Sequence, residues 1–346
     1  MVPTAARRKF QVATPLARGL RSACLNISSN NSARAASMVR MARPNLLWIM
    51  ADDLGVGEPS FSSPGRLHTP HIDSLAASGM RFTAAYAGYT VCAPSRATLF
   101  TGRHSGHLAA APSDWPLLPR LLHETGYETR AFGKSAPMDA VAPPRKPTTL
   151  EWGLPVEFGF ESFDGQPSQL LCHNMYPEHW TVDGNRTVAL PLNQQPKSRQ
   201  ACMAHPEAFN YTTDLFADAA IGWLRGRSSA RPFFAYLSFT VPHAGGWGSA
   251  PKAPEQGQPV PTDLMYASES WPNVEKDHAA SVSYLDRRVG DVLAALREGG
   301  YEQSTAVFFA SDNGVRATRG ERERDRALLT DRRLLAPPPL SISGAQ

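Results

Sequence analysis

Short apolar runs alternate with amphipathic stretches along this chain. Asn45 to Ala51 (NLLWIMA) is an unbroken apolar run of the kind that parallel sheets bury on both faces. Thr69-Pro70 opens a helix through Ile72, Leu75 and Ala76, closed by Gly79, because proline suits a first helical turn and glycine a terminus. Leu117 to Thr125 predicts a second helix ending at Gly126, followed by a strand over Glu128 to Phe132. Leu215, Ala219 and Trp223 share one helical face within Tyr211 to Leu224, which feeds the strand Pro232 to Phe239 (PFFAYLSF). Val282, Leu285, Val289, Val292, Leu293 and Leu296 form a further stripe that stops at Gly299-Gly300, before the strand Thr305 to Ser311 (TAVFFAS). Helices alternating with buried strands predict an α/β fold, a doubly wound, mostly parallel sheet with helices on both faces.

Ser135 to Asn210 is Pro-rich with little periodicity, and is predicted to hold active-site loops and short strands. Residues 1–43, rich in Arg, Ala and Ser and without an apolar core segment, are expected to be a disordered or targeting leader, with Met38 or Met41 as an alternative start. Residues 315–346 are Arg-rich and contain no lysine. They are expected to form a poorly ordered tail, which leaves 44–314 as the folded domain.

Composition narrows the class further. At 346 residues the chain can hold a large domain, and its longest apolar run, Leu46 to Ala51, is far too short to span a bilayer. A net charge of +4, with the Arg excess at the two ends, gives no footprint for nucleic acid. Cys24, Cys92, Cys172 and Cys202 lack thiolate metal-site spacing, although Cys172 and Cys202 could pair in an oxidising compartment. Asn26, Asn30, Asn185 and Asn210 each begin an N-x-S/T triplet, which matters only in a secreted chain.

Candidate chemistry lies where the predicted strands end. Asp52-Asp53 directly follows the first run, and Ser311-Asp312-Asn313-Gly314 closes the last strand. Three carboxylates and an amide oxygen suit a hard divalent cation, calcium or magnesium, better than zinc. Cys92-Ala93-Pro94-Ser95-Arg96 is the other constellation. With Pro94 at the first helical position, Cys92 would stand at a helix N-terminus, where free N–H groups favour an anion, beside the forked donor of Arg96.

CAPSR followed by ATLFTGR resembles the sulfatase signature, in which the cysteine becomes formylglycine. PNLLWIMADDLG resembles the opening strand and metal-binding Asp pair of that family, and Gly126-Tyr127 to Gly133-Lys134 resembles its GYxTxxxGK segment. Thr240-Val241-Pro242-His243 resembles its strand-end His motif, and SDNG its second metal motif, so the likeness covers roughly residues 43–314. It implies an alkaline phosphatase-like catalytic domain that hydrolyses aryl or carbohydrate sulfate esters. Asp52, Asp53, residue 92, Asp312 and Asn313 would hold the cation. Hydrated formylglycine at position 92 would attack sulfur through one hydroxyl, and the other would collapse to release sulfate. Arg96 and Lys134 would neutralise charge, and His243 would protonate the leaving alcohol. The implied partners are a sulfated small-molecule or carbohydrate substrate and a formylglycine-generating enzyme. The implied compartment is secretory, lysosomal or extracellular, although no signal peptide is visible.

Two departures stand out. Many sulfatases follow GK with Trp-His, whereas this chain has Ser135-Ala136, leaving His173 in CHNMYP as a substitute imidazole. After SDNG, the Gly-rich segment with its substrate-binding lysine and the small C-terminal domain are missing from the pattern. An inactive truncated fragment, or a phosphate or phosphonate monoester hydrolase of the same superfamily, therefore remain as alternatives.

Overall fold

The structure, a computed structural model, describes residues 43–104, 106–107, 116–135, 154–167, 171–246 and 258–315. The expected leader, apart from Arg43, and the expected tail beyond Val315 lie outside these residues, as do Cys24, Asn26 and Asn30.

The elements run β1 (Asn45–Asp52), α1 (Pro70–Ser78), α2 (Cys92–Thr101), α3 (Leu118–Glu124), β2 (Glu128–Lys134), β3 (Ser162–Gln166), β4 (His179–Val182) and β5 (Arg186–Ala189). They continue with α4 (Arg199–Ala204), α5 (Thr212–Gly226), β6 (Phe233–Pro242), α6 (Asn273–Glu298) and β7 (Thr305–Ser311). The strands form one sheet in the order β5-β4-β3-β2-β6-β1-β7. β3, β2, β6, β1 and β7 run parallel to one another, while β4 pairs antiparallel with β3 and β5 antiparallel with β4.

Both faces of the central strands are covered, which is why those strands read as continuous apolar runs. Leu47, Ile49 and Ala51 of β1 and Phe233, Ala235, Leu237 and Phe239 of β6 share a core with α5 and α6. The alternate residues Leu46, Trp48 and Met50, with Phe234 and Tyr236, pack with Phe100 of α2 and with Leu118 and Leu122 of α3. The period-two geometry of a strand thus divides each run between two cores, and the doubly wound α/β reading holds. Among the described residues no helix is long and apolar enough to cross a membrane.

Two local expectations change. α2 begins at Cys92, so Pro94 occupies its third position; an N–H is not required anywhere in the first turn, and the proline fits there equally well. Cys172 and Cys202 are each buried as thiols and form no disulfide. Asn185 is exposed at the turn between β4 and β5, open to modification, whereas Asn210 is half-buried with its backbone bonded to Asn193.

Gly133 marks a close approach within the sheet. It lies opposite Ser238 in the β2–β6 register at a φ of +91°, and a Cβ there would stand 2.0 Å from the Ser238 carbonyl oxygen. Gly133→Ala combines a left-handed backbone with a backbone clash and is expected to cost on the order of 3 kcal/mol, read from chemical denaturation.

Candidate active site

In a parallel sheet the carboxyl ends of the strands share one edge, where such folds place their ligands. β1 ends in Asp52, β2 in Lys134, β6 runs into His243 and β7 into Asp312. α2 brings Cys92 and Arg96 to the same edge. These residues all meet there, with Asn313 and Asp53.

Asp53 adopts a φ of +63°, a left-handed conformation that aspartate tolerates better than most residues. Its N–H donates to Asp312 Oδ1 at 3.2 Å, while the Asp312 N–H donates to the Ala51 carbonyl at 3.1 Å. The two strand ends are thereby laced together. Asn313 Nδ2 donates to Asp53 Oδ1, and Ser95 Oγ donates to the Asp312 carbonyl, fixing the start of α2 against β7.

Arg96 is wholly buried, which for a guanidinium demands a full set of acceptors. Its Nε donates to Asp312 Oδ2 at 2.8 Å, and its Nη2 lies 2.7 Å from the same oxygen and 3.8 Å from Asp52 Oδ1. Nη1 donates to the Tyr236 hydroxyl at 3.1 Å and to Ser238 Oγ. Tyr236 and Ser238 escaped the sequence reading because β6 looked wholly apolar. Their two-residue spacing, which puts both hydroxyls on one face, was the available signal.

Lys134 is equally buried and places Nζ 2.5 Å from Asp52 Oδ2 and 3.0 Å from His173 Nε2. His173 comes from the long loop between β3 and β4. The Gly246 N–H donates to its carbonyl at 2.9 Å, tying that loop to the chain just beyond His243. The two imidazoles stack with centroids 3.9 Å apart and planes 11° from parallel. His243 Nε2 stands 3.5 Å from Asp53 Oδ2, and Nδ1 lies 2.6 Å from the Ala244 carbonyl. A ring nitrogen against a carbonyl must carry the hydrogen, so Nε2 is the nitrogen turned toward the carboxylates.

The electrostatics follow from burial opposed by these charges. Burial alone would raise the Asp52 carboxyl, but Lys134 and Arg96, with the two histidines, overcome it and hold that group below the usual carboxylate range. Burial pushes the Asp312 carboxyl up to about 6 against the pull of Arg96. Burial lowers His243, opposed by Asp52 and Asp53. Burial would lower Lys134, but Asp52 outweighs it, so the ammonium persists far above neutrality. Burial drives the Cys172 thiol up to about 12, the behaviour of an inert buried thiol.

Two sets of potential ligands overlap at Asp52: Asp52, Cys92 and Asp312, and Asp52, Asp53 and His243, the ligand atoms in each lying within 4.8 Å of one another. Asp52 Oδ1 and Asn313 Oδ1 are buried and accept no hydrogen bond. Buried oxygens without donors, among carboxylates, fit a hard divalent cation. If these oxygens bind calcium, a concentration roughly a hundred times its dissociation constant should add about 2.7 kcal/mol of stability. The midpoint of thermal unfolding should rise with calcium and return on chelation, and Asn313→Ala should blunt the rise.

The sulfatase family model matches residues 44–328. The chain is 26% identical over 311 residues to mouse N-acetylgalactosamine-6-sulfatase, covering 79% of this chain and 50% of that protein. It is 30% identical over 320 residues to bovine arylsulfatase A, covering 83% and 55%. The chain therefore spans about half the length of these relatives. Among solved structures, Ps i-CgsB in complex with a neocarrahexaose is similar at a TM-score of 0.59 and 24% identity, over 79% of this chain and 59% of that one. The phosphonate monoester hydrolase of Agrobacterium radiobacter shares the fold at a TM-score of 0.51 and 22% identity, over 79% and 63%. With the family match covering most of the sequence and the motif residues gathered at one sheet edge, the chain belongs to the sulfatase family.

Proposed function

We propose that residues 44–314 are the catalytic domain of a sulfuric ester hydrolase acting on an aryl or carbohydrate sulfate, with Cys92 converted to formylglycine and a calcium or magnesium ion beside it. The observation that carries this reading is the position of Cys92 at the start of α2, its sulfur within 4.8 Å of carboxylate oxygens of Asp52 and Asp312 and its helix anchored by buried Arg96. Arylsulfatase A among the relatives supports aryl sulfates, and N-acetylgalactosamine-6-sulfatase supports carbohydrate sulfates.

Asp52, Asp53, Asp312 and Asn313, with residue 92, would hold the cation. Bound there, the cation supplies a Lewis acid for a sulfate oxygen, and formylglycine supplies a hydrated aldehyde as nucleophile. Arg96 keeps Asp312 oriented and sets a permanent positive charge beneath residue 92. Lys134, held between Asp52 and His173, adds a second positive charge where the anionic ester must sit. His243, its Nδ1 engaged with Ala244, moves a proton through Nε2 to the departing oxygen. His173 fills the place left open by Ser135-Ala136, its ring against His243 and its Nε2 against Lys134.

The test is hydrolysis of nitrophenyl sulfate beside the corresponding phosphate and phosphonate esters, with calcium and after chelation. Faster cleavage of sulfate that needs the cation and is lost in Asp312→Ala supports the reading. Preference for the phosphonate would reassign the enzyme. His243→Ala should lower kcat about a hundredfold on an alkyl sulfate and far less on nitrophenyl sulfate, whose leaving group needs no proton.

A further inference from the structure

Beside the backbone of His243, a chain of polar side chains runs through α6. Gln258 is 4% exposed, and its Nε2 donates to the carbonyls of Pro242 at 2.8 Å and His243 at 3.2 Å. Those two acceptors fix which end of the amide is which, leaving Oε1 toward His278 Nδ1 at 3.2 Å. Oε1 can only accept, so Nδ1 must donate. The other ring nitrogen, Nε2, lies against Glu58 Oε1, a second donor position when the ring is an imidazolium paired with that carboxylate. Glu58 in turn accepts the Gly55 N–H on Oε2 at 2.5 Å, two residues beyond Asp53.

Each donor in this series meets an acceptor, and the series joins the loop that follows the Asp52-Asp53 pair to the turn carrying His243. We propose that Gln258 and His278 are positioning residues that hold the His243 turn, and with it Nε2, in register with the carboxylate cluster through the Glu58–His278–Gln258 relay. Neither acts on the substrate itself. Their effect passes through the backbone carbonyls of Pro242 and His243, and a displacement of about 1 Å there is enough to spoil proton delivery.

This inference rests on the reading of His243 as the proton donor, and two measurements separate the two claims. In the histidine-labelled full chain, the His243 imidazole resonance, assigned with His243→Ala, should move in both Gln258→Ala and His278→Ala while the backbone amide spectrum keeps its dispersion. An unmoved His243 signal in folded variants overturns the proposal. If Gln258→Ala does not fold, Glu58→Ala, which removes the acceptor facing His278 Nε2, reads the same signal.

The second measurement is kinetic. Gln258→Ala and His278→Ala should lower kcat on an alkyl sulfate by about tenfold at unchanged KM, with less than about a twofold change on nitrophenyl sulfate. Neither should add to the loss in a His243→Ala background. Equal losses on both substrates contradict positioning of the proton donor. A wild-type chain that cleaves no sulfate contradicts the proposed function, and the His243 resonance then decides the positioning claim alone.

Discussion

Replacing Cys92 by alanine is expected to lower sulfate ester hydrolysis by about 10⁴-fold or more, because the proposed reaction runs through the group at that position. The thiol is 5% exposed at the first position of α2, and its removal deletes one atom from a site whose remaining contacts run through Ser95, Arg96 and Asp312. Loss of stability should therefore stay within about 1–2 kcal/mol. Cys172 is fully buried, and that burial pushes its thiol up, which makes it a weak substitute. Kinetics on nitrophenyl sulfate, with a denaturation curve on the same preparation, check both halves of this expectation. Retained turnover in Cys92→Ala would remove residue 92 from the reaction.

Arg96→Ala should have the opposite profile and damage folding first. The guanidinium is the buried counter-charge to Asp312 and lies near Asp52, and it also occupies the hydroxyls of Tyr236 and Ser238. Removing it leaves a buried carboxylate pair opposed by Lys134 and the two histidines, and takes a donor from each of the two hydroxyls. Loss of one partner from such a group costs about 3–5 kcal/mol, a large share of the roughly 5–15 kcal/mol that holds an ordinary domain folded. Arg96→Lys keeps the charge but not the fork, and should recover only part of the loss. Because a divalent cation can meet the same carboxylates, calcium should stabilise Arg96→Ala by more than it stabilises wild type. A variant as stable as wild type would show that Asp312 and Asp52 are neutralised by other means.

The parts of this site that were legible in the sequence are those where local pattern and chemistry coincide. NLLWIMA followed by two aspartates, and TAVFFAS followed by SDNG, each announce a strand that ends in carboxylates, although β7, at the sheet edge, is only half-buried where the pattern predicts a buried strand. Parallel pairing of β1 and β7 then brings both ends together, as the α/β reading required. Cys92 and Arg96 share a helix, so their proximity is also local information. The rest is set by tertiary contact. β3 to β5 are four or five residues long in a Pro-rich stretch, too short to show a period. CHNMYP singled out His173 as a substitute imidazole, but the bonding of its loop to Gly246 that brings it to the site is a tertiary contact. Tyr236 and Ser238 were hidden in an apolar run, and Gln258 and His278 gain meaning only from the carbonyls of Pro242 and His243.

The central claim is that residue 92 works as formylglycine in a cation site. Its most direct test is mass spectrometry of the tryptic peptide Phe82–Arg96, released by cleavage after Arg81 and Arg96, from full-length chain secreted by a host that makes the formylglycine-generating enzyme. The account predicts a peptide in which an aldehyde has replaced the Cys92 thiol, with the modified fraction tracking activity on nitrophenyl sulfate across preparations. Full-occupancy unmodified thiol in a chain that still hydrolyses the sulfate would contradict it.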